Sequence, residues 1–340
     1  MNTLAVEDFL DKKYPIVDVR APIEYHQAHV PGAFNVPIFS DDERADIGRT
    51  YKKQGKQPAI EKGLEYIGPK MVFLLREIRQ KAAGNRVCIY CFRGGMRSQA
   101  VAWLLDFCGM EVYILEGGYK SFRSWCIAQN NKSYPLIVLG GFTGVAKTEI
   151  LYALDKNEEA IVDLESYANH KGSAFGGLGS QKQPSQAHFE NRLAIGLWNV
   201  RYADSIWIED ESRMVGRCVI PQNIWTTMRE NRVFFIERSI EERVSYLLQG
   251  YGMYPLVDLQ NAVEKIKKRF GSNRCKEVQR LIEVGDLKAA IVMVLEYYDK
   301  GYRHGLSQRP DNQISFVDVV GRDHDRVAKR LLRLREENTE

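Results

Sequence analysis

The sequence predicts an α/β protein built from two parallel-sheet domains, and three observations support this prediction. Short apolar runs rich in β-branched and aromatic residues alternate with segments whose apolar residues recur at helical spacing. Two of these runs end in glycine-rich loops that lead into helices, within 87–98 and 136–151. From about residue 240 the pattern is mostly helical. We therefore divide the chain into a domain at 1–130, a second at 131–240, and a mainly helical, basic portion at 241–340 that completes the second domain.

Composition excludes several classes of protein. The 340 residues are 44% hydrophobic and 27% charged, which is ordinary for a globular protein. No apolar run is long enough for a membrane span, and the acidic start of the chain is not typical of a signal peptide. Six cysteines in this length are too few for a disulfide framework. We expect a cytoplasmic protein without a membrane partner.

The first domain is predicted to have strands near 15–19, 34–37, 87–91 and 111–115, and an amphipathic helix over 71–82. A long polar insertion separates the second and third of these strands. It contains Tyr51, Lys52, Lys53 and Lys56. The insertion is either a solvated helical excursion or a basic wall beside the third strand.

Cys91 is the candidate nucleophile of this domain. It ends an apolar strand, and Gly94 and Gly95 allow a tight turn before the next helix. Loop N–H groups and a helix N-terminus lower the pKa of a thiol, and Arg93 and Arg97 add positive charge. The alternative is a buried structural cysteine. That alternative suits Cys88, which lies an odd number of residues away and therefore faces the opposite side of the strand.

The second domain opens with a phosphate-binding motif. The strand at 136–139 is followed by a glycine-rich loop, a Lys-Thr pair and a helix, which is the context of a P-loop. The pattern departs from G-x-x-x-x-G-K-[ST] only at Ala146, which weakens the case for ordinary nucleotide hydrolysis. The alternative is a glycine-rich turn with a solvated lysine. The predicted diphosphate-binding residues are Gly141, Thr143, Gly144, Val145, Ala146, Lys147 and Thr148.

Polar residues follow the next predicted strands, at 160–164 and 205–209. Asp163, Glu209 and Asp210 end these strands, where ligands of parallel sheets bind, so they are candidates for a metal or polar site. Each acid could instead be an ordinary helix cap. Arg213 and Arg217 are candidate anion clamps. The polar, glycine-rich segment 169–177 between these strands is too long for a simple connector and is a candidate contact for phosphate or a nucleoside.

A basic cluster lies between residues 261 and 280, where seven Lys or Arg residues stand against two acids. The local excess of five charges exceeds the net charge of the whole chain, which is +4. Such a surface fits the phosphate array of a folded RNA, although a solvated helix face is the common alternative. The candidate tRNA-binding residues are Lys265, Lys267, Lys268, Arg269, Arg274 and Lys276.

Several of these motifs carry a resemblance. The segments 16–20, 29–33, 91–98 and 115–119 resemble, in order, the motifs of a rhodanese (sulfurtransferase) domain. Together with the P-loop and the segments 163–165, 169–173, 183–186 and 209–213, they resemble the tRNA 2-selenouridine synthases over nearly the full chain.

The resemblance implies a transferase acting on 2-thiouridine at the wobble position of tRNAs for Lys, Glu and Gln. Such enzymes geranylate the sulfur with geranyl diphosphate and then replace it with selenium from selenophosphate. The resemblance assigns the diphosphate to the P-loop and the chalcogen chemistry to Cys91, Arg93 and Arg97. No tightly bound cofactor is expected, and Mg²⁺ is compatible with the site. The alternatives are a sulfurtransferase fused to a nucleotide-binding domain, and an RNA-binding module with relic loops.

Overall fold

The computed structural model describes residues 1–173, 175–176, 178–179 and 182–337. They form two compact units, one of residues 1–129 with 190–195 and one of 130–189 with 196–340. Each contains a five-stranded parallel sheet, and the predicted fold class is confirmed. No helix in these described ranges is both long and apolar enough to cross a membrane.

The first unit alternates strands and helices. Its sheet has the order β1-β5-β4-β2-β3. Val17, Ile89 and Ile114 from three of its strands pack in the core with Leu74 and Ile78 of the predicted amphipathic helix. The elements are β1 (Asn2–Leu4), α1 (Val6–Asp11), β2 (Ile16–Asp18), α2 (Pro22–Gln27), β3 (Phe34–Asn35), α3 (Asp41–Gln54), α4 (Lys56–Ile67), α5 (Met71–Lys81), β4 (Arg86–Tyr90), α6 (Met96–Phe107), β5 (Glu111–Leu115) and α7 (Gly118–Asn130).

The second unit carries its sheet in the order β12-β11-β6-β8-β7, with β6 at the centre. The elements are β6 (Leu136–Gly141), α8 (Lys147–Lys156), β7 (Ala160–Val162), α9 (Leu164–Ala168), α10 (Gln186–Asn199), β8 (Ile206–Glu209), β9 (Met214–Val215), β10 (Cys218–Val219), α11 (Gln222–Glu230), β11 (Val233–Glu237), α12 (Ile240–Tyr251), α13 (Leu256–Phe270), α14 (Ser272–Glu283), α15 (Leu287–Leu306), β12 (Ile314–Asp318) and α16 (His324–Glu337).

The C-terminal portion is helical with one exception. Strand β12 returns from the helices α12–α15 to pair in parallel with β11 at the edge of the sheet. The four helices pack around a separate apolar cluster that includes Leu259, Val263, Val278 and Val294. This helical layer therefore belongs to the second unit and supplies one wall of its site.

Candidate active sites

The loop after β4 is held open by close backbone contacts that only glycine allows. Gly94 has a φ of 64°, and a Cβ there would lie 2.8 Å from the carbonyl oxygen of Leu115. A Cβ on Gly118 would lie 2.3 Å from the carbonyl oxygen of Cys91. That carbonyl also accepts a hydrogen bond of 2.8 Å from the N–H of Tyr119. The loop and the start of α7 are thus packed backbone to backbone, which fixes the position of Cys91.

The surroundings of the Cys91 thiol favour its ionised form. Its Sγ lies 3.2 Å from Oγ of Ser98, in the first turn of α6. Burial opposes ionisation, but the Ser98 hydroxyl, the N–H groups of Arg93 and Ser98 and the charge of Arg97 outweigh it, so the pKa of Cys91 is lowered. Cys88 behaves oppositely, because burial raises its pKa to about 12. The two cysteines of this segment therefore differ in the direction of their pKa shifts.

Arg97 is oriented by an acidic partner on α2. Its guanidinium donates to Oε2 of Glu24 at 2.9 Å, and Glu24 also pairs with Arg44 at 2.8 Å. Burial opposes the charge of Glu24, yet Arg97 and Arg44 outweigh it and lower the pKa of this carboxyl. The guanidinium of Arg93 lies 6.0 Å from the ring of Phe92. Of the two predicted cations of this loop, Arg97 is thus held by an ion-pair network.

A large pocket of about 1010 Å³ lies beside this loop. Apolar side chains of α3 and α4 form most of its wall. Arg93 and Arg97 line it together with Lys52 and Lys56 of the predicted polar insertion. The insertion is helical and both lysines are exposed, which also fits a solvated helical excursion, so the basic wall stays a prediction. The pocket lining thus combines cationic and apolar side chains.

A buried ion pair supports the same end of the sheet. Asp18 and Arg20, at the end of β2, are both buried, and their closest atoms are 2.6 Å apart. The hydroxyl of Tyr90 donates to Asp18 at 2.7 Å, and Arg20 lies 4.0 Å from the ring centre of Tyr119. These contacts tie β2, β4 and α7 together next to Cys91. Removing one partner would leave a buried charge without compensation.

In the second unit, the loop of residues 142–146 joins β6 to α8 as a P-loop does. A Cβ on Gly144 would approach the carbonyl oxygen of Arg243 at 3.2 Å and Leu247 at 3.1 Å, so the loop packs tightly on α12. A pocket of about 330 Å³, here called the P-loop pocket, is lined by residues 142–149 with Glu165, residues 171–173, Glu211, Tyr302 and part of α12. The sequence-predicted residues 143–148 all line it.

Lys147 projects its ammonium into this pocket region, where Nζ donates to the carbonyl of Gly141 at 3.2 Å. Burial alone would lower its pKa. The phenol of Tyr302 and nearby carboxylates outweigh that effect and raise the pKa, so the ammonium stays charged. The carboxylates are those of Glu211, Glu165 and Glu209.

The acids around Lys147 are only partly those predicted. The hydroxyl of Thr148 donates to Glu209 at 2.9 Å or Glu165 at 3.1 Å, and Oε2 of Glu209 is buried without a hydrogen-bond partner. Glu165 and Glu211 were not among the predicted site residues. Side-chain alternation at the end of β8 could have identified Glu211, since it shares the parity of Glu209.

The other two predicted acids have structural partners. Asp163 caps α9 by accepting from the N–H of Ser166 at 2.7 Å, as the alternative interpretation held. Asp210 pairs with Arg229 and with Arg309, the latter at 3.2 Å. The side chain of Asp210 is thus engaged by two guanidinium groups, whereas Thr148 takes Glu209 and Glu165 as acceptors. Within the described residues, no group of three or more His, Cys, Asp or Glu side chains could hold a metal ion by itself.

The predicted anion clamps also have protein partners. Arg213 donates to Gln222 and lies 5.6 Å from the ring centre of Trp225. Arg217 donates to the carbonyl oxygens of Gln183 and Pro184. Neither arginine lines the P-loop pocket among the residues described. Their role as anion clamps stays a prediction.

The glycine-rich segment 169–177 reaches the P-loop pocket. Lys171, Gly172 and Ser173 line it, and a Cβ on Gly172 would lie 2.7 Å from Oε1 of Glu165. Ala174 and Gly177 lie outside the described residues. The segment therefore supplies a second lysine to the pocket lining, Lys171, and Gly172 leaves room for the carboxylates of Glu165 and Glu211.

Two family models match the chain. The tRNA 2-selenouridine synthase AAA domain matches residues 134–333, and the rhodanese-like domain matches residues 4–124. The chain belongs to the tRNA 2-selenouridine synthase family. Relatives with this name include those of Pseudomonas fluorescens (strain Pf0-1), 38% identical over 79% of this chain and 72% of the relative, and Hahella chejuensis (strain KCTC 2396), 33% identical over 90% and 89%. A third, from Psychromonas ingrahamii, is 31% identical over 88% and 90%.

This family member carries its basic cluster on α13 and α14. Lys265, Lys268, Arg269, Arg274 and Lys276 are exposed. Lys267 pairs with Glu264 within the same helix, which neutralises one of the predicted cations. The aromatic Phe270 is buried against Tyr297 and serves packing. These exposed cations form a basic surface and do not contribute to the apolar core.

The departure from the P-loop pattern in this synthase-family chain has a structural consequence. Ala146 adopts a left-handed conformation, with φ 66° and ψ 45°, which costs an L-residue roughly 1–2 kcal/mol. We expect Ala146→Gly to raise the free energy of unfolding by about 0.5–1 kcal/mol, since part of the relief is offset by the greater entropy of unfolded glycine. Urea denaturation would measure it. Ala153→Gly, inside α8, is the control and should lower the free energy of unfolding by about 1 kcal/mol. An equal loss of stability in both variants would show that the backbone of Ala146 is not strained.

The carboxylates of this synthase-family site predict a pH dependence. Burial and the neighbouring Glu165 raise the pKa of Glu211 to about 8, from 4.5. Between these values the folded state holds a proton that the unfolded state has lost, so stability falls as pH rises from about 4.5 to 8. Glu211→Gln should remove this contribution, at most about 1.4 kcal/mol per pH unit. Urea denaturation at several pH values should show the free energy of unfolding of the variant rising relative to that of the parent as pH rises. An identical pH dependence of stability in both proteins would refute the prediction.

Proposed function

We propose that this chain geranylates 2-thiouridine at the wobble position of tRNAs for Lys, Glu and Gln and then replaces the geranylated sulfur with selenium. The observation that supports this most directly is the presence of two differently built sites in one family member. One is a P-loop with a charged Lys147. The other is the loop of Cys91, where the surroundings lower the pKa of the thiol and Arg93 and Arg97 line the neighbouring pocket.

In the first step, the P-loop pocket would bind geranyl diphosphate. The sulfur of 2-thiouridine attacks C1 of the geranyl group, the C1–O bond breaks, and its electron pair leaves with pyrophosphate. The base loses its N3 proton, which keeps the S-geranylated product neutral. Lys147 and the N–H groups at the start of α8 would offset the charge that develops on the leaving group. Because no γ-phosphate has to be hydrolysed, the departure at Ala146 does not disable this chemistry.

A Mg²⁺ ion bound together with the diphosphate would find hard oxygen ligands in Thr148 and Glu209, since Oε2 of Glu209 has no hydrogen-bond partner. Mg²⁺ usually takes only one or two protein carboxylates and completes its shell with phosphates and water. When bound, such an ion would neutralise phosphate charge, while Lys147 and the loop amides orient the diphosphate.

In the second step, Cys91 would act as the nucleophile that displaces the geranylated sulfur. Its thiolate attacks C2 of the base, the C2–S bond breaks, and geranyl thiolate leaves and takes up a proton. The selenium of selenophosphate then attacks C2 and expels Cys91 as a thiolate. Water cleaves the Se–P bond to give phosphate and 2-selenouridine. Arg93 and Arg97 would bind the phosphate of the donor.

Recognition of the tRNA is assigned to the exposed cations of α13 and α14. Lys265, Lys268, Arg269, Arg274 and Lys276 would contact the phosphate backbone, with Lys267 weakened by its pairing with Glu264. Such contacts position an RNA without reading its sequence. Binding should therefore weaken as salt concentration rises.

The test is nucleoside mass spectrometry on 2-thiouridine tRNA incubated with the protein. Geranyl diphosphate is supplied first and selenophosphate second. The proposal expects S-geranyl-2-thiouridine after the first addition and 2-selenouridine after the second. An unchanged tRNA together with persulfide formation on Cys91 from thiosulfate would replace the proposal with the sulfurtransferase alternative.

A further inference from the structure

A narrow apolar slot adjoins the P-loop pocket. It runs between helices α12, α13, α14 and α15, and its wall is almost entirely apolar. The slot and the P-loop pocket share four lining residues, so the two spaces adjoin each other. The shared residues are Thr143, Ser173, Leu247 and Tyr251.

The slot is anchored to the P-loop by a buried charge pair. Arg243 of α12 donates to the carbonyl of Thr143 at 2.9 Å and to Asp299 of α15 at 2.6 and 2.9 Å. The loop that faces the diphosphate and two of the helices that line the slot are therefore held in one arrangement. A ligand with a charged head and an apolar tail matches this pair of spaces.

We propose that this slot holds the hydrocarbon chain of the allylic diphosphate whose diphosphate group occupies the P-loop pocket. The inference rests on the proposed function and adds the residues that select the chain. The charged head meets Lys147, and the chain passes Leu247 and Tyr251 into the slot. Val278, Ala290, Val294 and Tyr298 line the slot and do not line the P-loop pocket.

The slot is small compared with the hydrocarbon chain that it would hold. It encloses about 50 Å³, whereas an engineered cavity of roughly 150 Å³ binds benzene. A ten-carbon chain therefore enters only when lining side chains move apart. Leu247 and Leu248 of α12 line the slot and have the freedom of unbranched Cβ atoms. Binding of the chain should therefore widen the slot.

The large pocket beside Cys91 is also mostly apolar, but it does not adjoin a P-loop that could bind the diphosphate. Its cations are Arg44, Arg49, Lys52, Lys56, Arg93 and Arg97, and it contains no P-loop. The reacting carbon of an allylic diphosphate is bonded directly to the diphosphate, so the chain must begin where the P-loop binds that group. The slot is the apolar space that meets this condition among the residues described.

The test compares ligands that share a diphosphate and differ in chain length. Calorimetric titration of the full chain should show geranyl diphosphate binding about 100-fold or more tightly than inorganic pyrophosphate. Ala290→Phe fills the slot and should reduce that advantage at least about tenfold, with pyrophosphate binding and the affinity for five-carbon dimethylallyl diphosphate unchanged. Ala289→Phe, the neighbouring change on α15, is the control and should keep the advantage.

Two results would overturn the inference. One is equal affinity of the parent protein for geranyl diphosphate and pyrophosphate, and the other is an unchanged advantage in Ala290→Phe. A photoreactive geranyl diphosphate gives a measurement that needs no variant, since it should label peptides of α12 and α15; labelling of α3 and α4 instead would contradict the slot. Failure of the proposed function is distinct, because it would appear as normal binding without geranyl transfer to tRNA.

Discussion

Cys91→Ala is expected to abolish the formation of 2-selenouridine while leaving geranyl transfer unchanged. The variant loses the thiolate whose pKa is lowered by Ser98, by loop N–H groups and by Arg97, and alanine offers no other nucleophile. Loss of a nucleophile typically costs about a thousandfold or more in rate. The two half-reactions are measured separately, with 2-thiouridine tRNA and geranyl diphosphate in one and isolated geranylated tRNA and selenophosphate in the other.

Cys88→Ala is the matched control for this variant. Cys88 is buried in the same strand, three residues away, and its thiol is kept neutral by burial. Its replacement should leave both half-reactions at nearly the parent rate and affect only stability. Equal loss of both half-reactions in Cys91→Ala would show that the thiol does not act in a separate second step. Full selenation by Cys91→Ala would remove Cys91 from the chemistry altogether.

Much of the fold could be predicted because local and tertiary requirements coincide. Strand β4 and the loop after it were identified from a buried apolar run that ends at two glycines, and the contact of Gly94 with Leu115 explains why glycine is needed there. The P-loop was identified in the same way. Strands β1, β9, β10, β11 and β12 were not predicted. β1, β9 and β10 have only two or three residues, too few for a periodic pattern, and β12 lies in a portion that was expected to be helical.

The candidate sites were less predictable, because side-chain direction depends on tertiary contacts. Asp210 and Glu211 are neighbours in sequence, yet Asp210 meets Arg309, which is distant in the chain, while Glu211 faces Lys147. Glu165 reaches Thr148 from the start of α9. No periodic pattern in the sequence indicates this contact. Glu165 could therefore be identified only from the fold.

Lys147→Ala is expected to reduce geranyl transfer by about a thousandfold and to weaken binding of pyrophosphate, while isolated geranylated tRNA is still converted to 2-selenouridine. The ammonium is the charge that lies closest to the expected leaving group, and removing one preorganised donor of this kind costs about 10²–10³ in rate. The variant also leaves Glu165, Glu209 and Glu211 without their cation, so their pKa values should rise and Mg²⁺ dependence should change. Steady-state geranylation kinetics and pyrophosphate titration give the two readouts.

Lys156→Ala, at the exposed end of the same helix, controls for a general effect of removing a lysine from α8 and should keep both steps. The combination of variants decides whether the chain has two sites. If Lys147→Ala loses only geranylation and Cys91→Ala loses only selenation, each step has its own machinery. If the two variants lose both steps to the same extent, one shared site performs both, and the division of labour between P-loop and thiol is wrong. Because selenation is assayed on tRNA that is already geranylated, a block in the first step cannot imitate a block in the second.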